Sequence, residues 1–325
     1  MFSYRSILKQ SLSISWKHKY LWFFGLFASL AVAGGSMEYQ FFNQSTGQGL
    51  INGTYQSLAG LFALSELCTS VWYGIIDLFS QDIVILINTL TILLLTLTII
   101  FVFVWLAISS QAALVDSVKK IITPKKKSNI LSIQAGLTVG SIHFWSVLGL
   151  NILIKILIGF SFFIMSLPLL FLALSDNVSF IIAYSILFVI FVPVALSLSL
   201  IVKYAITARV LENKSVVASL EQGYTLFRKN WLISLEVALI LYIISFVATL
   251  TLLILLSLLF LPLLLIGMFF TIYWLVFLML FFFLIALAIF GSFFTTFQIS
   301  TWTDLYVNLT NNKGLAKLER IFQKK

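Results

Sequence analysis

The longest stretch without a charged residue is Val237–Thr303, which contains 67 residues. A helix rises about 1.5 Å per residue, so about 20 apolar residues cross a hydrocarbon core of roughly 30 Å. The stretch is therefore long enough for two crossings. Pro262 and Gly267 lie near its middle and predict one turn between two spans, since proline interrupts the helical hydrogen bonds and glycine relaxes them.

Four further apolar stretches predict one span each: Tyr20–Met37, Ile83–Ile108, Phe144–Leu174 and Val178–Val202. Of all residues 61% are hydrophobic and 10% are charged, against about 25% charged in an average soluble domain. A soluble globular fold, a disordered chain and a coiled coil all need more polar residues than this. We therefore predict an all-α integral membrane protein with six transmembrane helices.

The positions of lysine and arginine predict which side of the membrane each end occupies, because basic residues near spans stay in the cytoplasm. No basic residue lies between Lys19 and Lys119, so the long segment 36–82 is predicted to lie outside. Six spans place nearly all the basic residues and both termini on one side. The localisation expected is the bacterial cytoplasmic (inner) membrane. The net charge of +9 then indicates anionic lipid headgroups as partners, and not nucleic acid.

A sequence pattern recurs three times, beginning at Leu8, Ile133 and Leu220, with a small residue three positions later in each case. Each copy predicts an amphipathic helix in the headgroup plane, followed by a two-span hairpin. We predict a single domain over residues 1–325 built from three such repeats. They cover residues 1–118 (with the outer segment 36–82), 119–212 and 213–325. The aligned small residues are Ser11, Gly136 and Gly223.

The first amphipathic helix is predicted to have an apolar side and an opposite polar side. The apolar side contains Tyr4, Leu8, Leu12 and Trp16, and the polar side contains Arg5, Lys9, Ser13 and Lys17. Basic residues of the first and third such helices are predicted to contact lipid headgroups; these are Arg5, Lys9, Lys17, Lys19, Arg228 and Lys229. An acidic residue follows each hairpin, at Asp116, Glu212 and Asp304, and each is expected to pair with the basic helix of the next repeat.

Two ionisable residues lie inside predicted spans, where an uncompensated charge is costly. We hypothesise that Lys155 and Glu236 pair across spans three and five, with Asn151 on the same helix face as Lys155. Two interpretations of these residues are open. They form a structural ion pair, or Lys155 extends to the membrane interface. Alternatively, they form a site for a substrate, a proton or a lipid headgroup. Asn88 and the threonines that follow it are predicted to form hydrogen bonds between helices.

Two segments resemble a bacterial family: Ser6–Leu30, SILKQSLSISWKHKYLWFFGLFASL, and Ala205–Leu232, AITARVLENKSVVASLEQGYTLFRKNWL. They are similar to the membrane domain attached to some glycerophosphodiester phosphodiesterases and to related stand-alone inner-membrane proteins. The resemblance implies an integral helical domain of the inner membrane. It does not imply phosphodiesterase activity, which belongs to a separate soluble barrel domain in the fused members.

Three classes of function are compatible with these features. The chain has neither a P-loop, nor an HExxH motif, nor a GxSxG elbow, and with one cysteine and two histidines we predict no metal and no cofactor. We favour a non-enzymatic protein associated with lipid or with a partner protein. A transporter or lipid-translocating protein is the first alternative. A membrane-embedded lipid-modifying enzyme is the second, with His18, His143 and the three acidic residues as its material.

Overall fold

The computed structural model describes residues 4–33, 69, 83–123, 132–175, 179–270 and 273–311. Within this part of the chain, the regular elements are eight helices, and no strand is present. In chain order they are α1 (Tyr4–Lys17), α2 (Tyr20–Ala33), α3 (Ile83–Ile122), α4 (Ile133–Ser175), α5 (Ser179–Glu212), α6 (Val216–Lys229), α7 (Trp231–Phe269) and α8 (Tyr273–Thr310).

Five of these helices, α3, α4, α5, α7 and α8, are long and apolar enough to cross a membrane. Their apolar side chains are mostly exposed: in the most apolar window of α8 only 6% of the residues are buried. Exposing so much apolar surface to water carries a large free-energy cost, whereas lipid tails accept it. The prediction of a helical multi-pass membrane protein is confirmed.

The first predicted span is covered only in part. Helix α2 contains 14 residues, which reach about 21 Å, less than a hydrocarbon core of roughly 30 Å. The rest of Tyr20–Met37 lies outside the described residues, as does nearly all of the outer segment 36–82. The sixth crossing therefore stays a prediction.

The stretch Val237–Thr303 contains two helices, as predicted, but the turn lies later than Pro262 and Gly267. Helix α7 continues through both residues and ends at Phe269. Proline leaves one backbone carbonyl of the preceding turn without its helical partner, and transmembrane helices tolerate this loss. Sequence reasoning overestimated the ability of a single proline to end an apolar helix.

The second repeat departs from the predicted pattern, because α4 is one helix from Ile133 to Ser175 with no break at His143. The corresponding positions elsewhere do separate two helices, at His18 and Lys19 between α1 and α2 and at Asn230 between α6 and α7. Both of those breaks lie beside two or more consecutive basic or polar residues, which are held at the interface. His143 is instead flanked by Ile142 and Phe144, so no charge there favours a turn.

The chain divides into two compact units. Unit 2 comprises Ala33–Trp105 and Ile152–Ser199, and in its described part the side chains of residues 84–105 are mostly exposed. Unit 1 comprises Met1–Val32, Leu106–Asn151 and Leu200–Lys325 and has an extensive buried core. Its largest fully buried side chains include Tyr204, Phe24, Leu21, Leu114, Leu150, Leu200 and Leu305.

Three helix junctions in unit 1 depend on glycine. A Cβ atom added to Gly25 of α2 would lie 2.2 Å from the Ser292 carbonyl oxygen of α8. At Gly140 of α4 it would lie 2.3 Å from the Ser109 carbonyl oxygen of α3. At Gly223 of α6 the nearest atom, at 2.7 Å, is a backbone carbonyl oxygen of α5. In each case the backbones of two helices approach so closely that no side chain fits between them.

The junction at Gly25 predicts a specific sensitivity to alanine. Gly25→Ala forces two backbones apart, and we expect it to destabilise the protein by about 1–3 kcal/mol, as overpacking does elsewhere. Gly149→Ala on α4 is the matched control, because a Cβ there meets no atom within 4 Å. Thermal unfolding midpoints of both variants in the same detergent measure the difference, and equal midpoints would contradict the packing described.

Candidate functional site

The face of α1 that packs against the protein is neither the apolar side nor the polar side predicted from the sequence. Ile7, Ser11, Ile14 and Ser15 are buried, whereas Leu12 and Trp16 are 49% and 65% exposed. Residues three and four positions apart lie on the same face of a helix, so these four residues form one stripe. Two serines in the stripe allow α1 to lie close to its neighbours, and the apolar residues Leu12 and Trp16 are left facing outward.

An aromatic cluster fixes α1 against α2 and α8. The rings of Trp16, Trp22 and Phe293 meet edge to face, with centroid distances of 5.7 to 6.4 Å. The Nε1 atom of Trp22 also donates a hydrogen bond to the Ser15 carbonyl oxygen at 2.7 Å. Tryptophan is typical of the boundary between hydrocarbon and headgroups, so the cluster indicates the depth at which α1 lies.

A cleft of about 470 Å³ lies along the polar side of α1. Its lining comes from α1, from the residue after α1 and from α3: Ser6, Lys9, Gln10, Ser13, Ile14, Lys17, His18 and Ile121. We call it the α1 cleft. The lining residues include two ammonium groups, two hydroxyls, an amide and an imidazole, and none of them is a carboxylate. In the described part of the chain, neither Lys9 nor Lys17 forms a salt bridge.

The α1 cleft contains two of the six residues predicted to contact headgroups, Lys9 and Lys17. Arg5 and Lys19 are exposed nearby in sequence but do not line it. Arg228 and Lys229 are exposed on α6. Headgroup contact stays a prediction for all six residues. Of these cations, Lys9 and Lys17 share the concave surface of the α1 cleft.

Glu212 is the centre of a hydrogen-bond network that joins three helices. The hydroxyl of Tyr306 on α8 donates to Oε1 of Glu212, and Nε2 of Gln222 on α6 donates to the same oxygen at 2.9 Å. The other carboxylate oxygen lies 2.8 Å from the ammonium of Lys214. Gln222 also donates to the Tyr306 hydroxyl at 2.8 Å, so the network is closed.

The connection between α5 and α6 brings this network together. Asn213 has a φ of 54°, in the left-handed region that asparagine tolerates after a helix C-terminus. Two residues later the Ser215 side chain caps α6 by accepting a hydrogen bond from the backbone N–H of Ala218. The chain thus reverses within three residues, and Gln222 on the second turn of α6 comes to lie beside Glu212.

Among the described residues, the other two acidic residues have partners on their own helices, whereas the sequence predicted partners on the basic helix of the next repeat. Asp116 forms a salt bridge of 2.6 Å with Lys120, one turn later on its own helix. Asp304 is buried, and its Oδ1 accepts a hydrogen bond of 2.9 Å from Asn308, also one turn later. A partner at i+4 on the same helix is already in place, so it requires less ordering than a partner on another element.

The polar residues of the apolar helices have separate roles. Asn151 donates a hydrogen bond of 3.0 Å to Gln111, which links α4 to α3 within unit 1. Asn88 is exposed, and the threonines near it bond within their own helix, so the predicted bonds between helices are wrong there. Each threonine hydroxyl donates to the carbonyl four residues earlier at 2.7 to 2.9 Å: Thr89, Thr91, Thr96 and Thr98.

The pairing of Lys155 with Glu236 stays a prediction. Lys155 is exposed in unit 2 and Glu236 is half-buried in unit 1. Glu236 lies six residues, or less than two turns, after the break at Asn230, and Lys155 lies one turn after Asn151.

Sequence reasoning missed Gln111, Gln222 and Tyr306, which provide partners for the predicted Asn151 and Glu212. A signal was present for two of them: Gln111 and Tyr306 lie within five positions of Asp116 and Asp304, near the ends of long helices. Gln222 lies on the short helix α6, ten positions after Glu212, and had no such signal. The structure groups no three or more His, Cys, Asp or Glu side chains at metal-binding positions among the residues it describes.

The described residues thus define a helical multi-pass membrane protein with a cleft along α1 that is lined by two lysines. Comparison with known proteins adds no relative: no family model, no curated protein and no solved structure matches the chain. The resemblance to the phosphodiesterase-linked membrane domain therefore stays a prediction from the two segments given above.

The Glu212 network predicts the effect of removing one hydroxyl. Tyr306→Phe leaves the carboxylate without one donor, and we expect a loss of about 1.5–3 kcal/mol, typical of hydrogen bonds to charged groups. Tyr224→Phe on α6 is the control: Tyr224 is 51% exposed, and a change at such a surface costs within about 0.5 kcal/mol. Denaturant unfolding in detergent distinguishes them, and a Tyr306→Phe variant as stable as the wild type would contradict a stabilising network.

Proposed function

We propose that the chain is a six-span protein of the bacterial inner membrane that binds anionic lipid headgroups at the cytoplasmic side and catalyses no reaction. The observation that carries the proposal is the outward side of α1, where cations and exposed apolar residues occupy the same face. A protein partner is compatible with this role.

On α1, Arg5, Leu12 and Trp16 lie within about 40° of one another, because successive residues are about 100° apart. All three are exposed. An exposed tryptophan and leucine favour hydrocarbon, whereas a guanidinium requires polar surroundings. The headgroup region satisfies both, with the charged group reaching outward from a helix that lies flat.

Helix α6 has the same arrangement 212 positions later. Val217, Tyr224 and Arg228 occupy the positions of Arg5, Leu12 and Trp16, and Val217 and Tyr224 are 75% and 51% exposed. Both helices therefore present a face of mixed apolar and cationic character to their surroundings. This similarity supports two headgroup-binding helices in one chain.

The three glycine junctions support the proposed repeats. Each junction joins the first or second helix of one repeat to the last helix of another. Helix α4 meets α3 in this way, α6 meets α5, and α2 of the first repeat meets α8 of the third. Contacts between successive repeats are expected if the three repeats are joined in a closed cycle, although the three glycines are not at aligned positions.

The six-span topology is open to a direct test. In a background with Cys68→Ser, we expect single cysteines at Lys19→Cys, Lys126→Cys and Lys317→Cys to react with a membrane-impermeant maleimide only after the cells are opened. A cysteine at Ser57→Cys, in the outer segment, should react in intact cells. Labelling of Lys126→Cys in intact cells would contradict the topology.

Headgroup binding predicts the lipids that accompany the purified protein. We expect the wild type, extracted with native lipids, to be enriched in anionic phospholipid relative to the bulk membrane. Arg5→Gln with Arg228→Gln should lower the enrichment, because each cation near the surface contributes about 1 kcal/mol of attraction. The control Arg5→Lys with Arg228→Lys keeps the charge and should keep the enrichment. Mass spectrometry measures the lipids, and a wild-type composition equal to that of the membrane would contradict the proposal.

A further inference from the structure

The polar side of α1 has a regular row of hydrogen-bonding residues. Ser6, Gln10, Ser13 and Lys17 follow one another at spacings of four, three and four residues, which places them in one line along the helix. Lys9 flanks this row, and all five line the α1 cleft. These hydrogen-bonding groups therefore share one concave surface and are not distributed around the helix.

The donors in the α1 cleft match a tetrahedral anion. The ammonium groups of Lys9 and Lys17 only donate hydrogen bonds, and the hydroxyls and the amide are able to donate as well. Bonds from ammonium to phosphate oxygen are charge-assisted and therefore stronger than bonds between neutral groups. With no carboxylate among the lining residues, a bound anion meets no repulsion from them.

The size and position of the α1 cleft fit a headgroup. Its volume of about 470 Å³ falls within the roughly 300–1,000 Å³ typical of small-molecule sites. Ile14 and Ile121 give it an apolar patch beside the donors. Trp16 near the end of α1 and Trp22 near the start of α2 indicate that this part of the protein lies at the depth of the headgroups.

The equivalent side of α6 lacks this set of donors. Its residue 221 is Glu where α1 has Lys9, and Gln222, in the place of Gln10, is engaged with Glu212 and Tyr306. Ala218 replaces Ser6, whereas Thr225 and Lys229 keep a hydroxyl and an ammonium at the positions of Ser13 and Lys17. The two helices therefore share an outward apolar and cationic face, but only α1 has a second lysine in place of the carboxylate beside this row.

We propose that the α1 cleft is a binding site for a phosphate group, held by Lys9 and Lys17 with Gln10 and Ser13 as further donors. This phosphate site would be one place at which the proposed headgroup binding occurs, so the inference rests on the proposed function. The source of the phosphate is an anionic phospholipid headgroup or a soluble phosphate ester, and the chemistry of recognition is the same for both.

The test uses the full-length protein in nanodiscs with two probes. Glycerol phosphate, titrated onto protein in phosphatidylcholine nanodiscs, measures the soluble source. Native mass spectrometry in nanodiscs containing phosphatidylglycerol counts the lipids retained. The variant is Lys9→Gln with Lys17→Gln, and the matched control is Lys9→Arg with Lys17→Arg, which keeps both charges in the α1 cleft.

If the site is in the α1 cleft, the Lys9 and Lys17 variant weakens binding of at least one probe by about tenfold or more, as loss of two charge-assisted bonds implies. The control with two arginines changes that binding less than about twofold, since arginine also donates charge-assisted hydrogen bonds to phosphate. Ser13→Leu keeps both charges, places a larger apolar side chain in the α1 cleft and should also abolish binding, which separates a site from general attraction. If glycerol phosphate binds, a soluble phosphate ester is sufficient to occupy the site. If only phosphatidylglycerol is retained, the ligand is a lipid headgroup.

Binding weakened less than about twofold by Lys9→Gln with Lys17→Gln, or binding unchanged by Ser13→Leu, would overturn the phosphate site and leave general headgroup attraction in place. No preference of the wild-type protein for phosphatidylglycerol over phosphatidylcholine would instead refute the proposed function. All variants must elute as the wild type does on size exclusion. Since Lys9 and Lys17 are exposed, we expect the double variants to fold normally.

Discussion

Contact between helix backbones at glycine is the interaction on which unit 1 depends. Lipid tails are as apolar as leucine, so burying leucine between helices in a membrane provides little driving force. Close packing and hydrogen bonds between helices must supply the stability instead. At Gly25 the backbones of α2 and α8 come into direct contact, and the hydroxyls of Ser292 and Thr296 donate to the carbonyl oxygens of Trp22 and Leu21. A larger residue at Gly25 would remove both kinds of interaction at once.

Polar side chains reinforce these junctions where the long helices end. The ammonium of Lys119 on α3 donates to the Leu211 carbonyl oxygen in the last turn of α5, where the helix dipole favours a cation. One residue later, Glu212 connects α5 to α6 and α8 through Gln222 and Tyr306. A carboxylate with all its donors in place is stable in a half-buried position, whereas the same group with a donor missing is costly. The network therefore specifies one arrangement of three helices.

Sequence reasoning predicted the helical class and the long apolar helices because their length and composition leave no other fold. The repeat pattern also aligned three small residues, Ser11, Gly136 and Gly223, and all three are buried. It did not predict which helix each small residue meets, since packing partners depend on the whole bundle. The assignments of Asp116 and of the threonines after Asn88 were wrong for a common reason: local partners one turn away on the same helix were already available.

The α1 cleft shows how two related helices acquire different chemistry. The packing stripes of α1 and α6 place Ser11 and Gly223 at equivalent buried positions, and a Cβ atom added to Gly223 would collide with the backbone of α5. Their polar sides carry no such restriction, so Lys9 on one helix corresponds to Glu221 on the other. Moreover, the position of Gln10 is occupied on α6 by Gln222, whose amide is already used to join α5 and α8. The difference in chemistry between the two helices therefore lies on their polar sides, and the phosphate site is proposed on the polar side of α1.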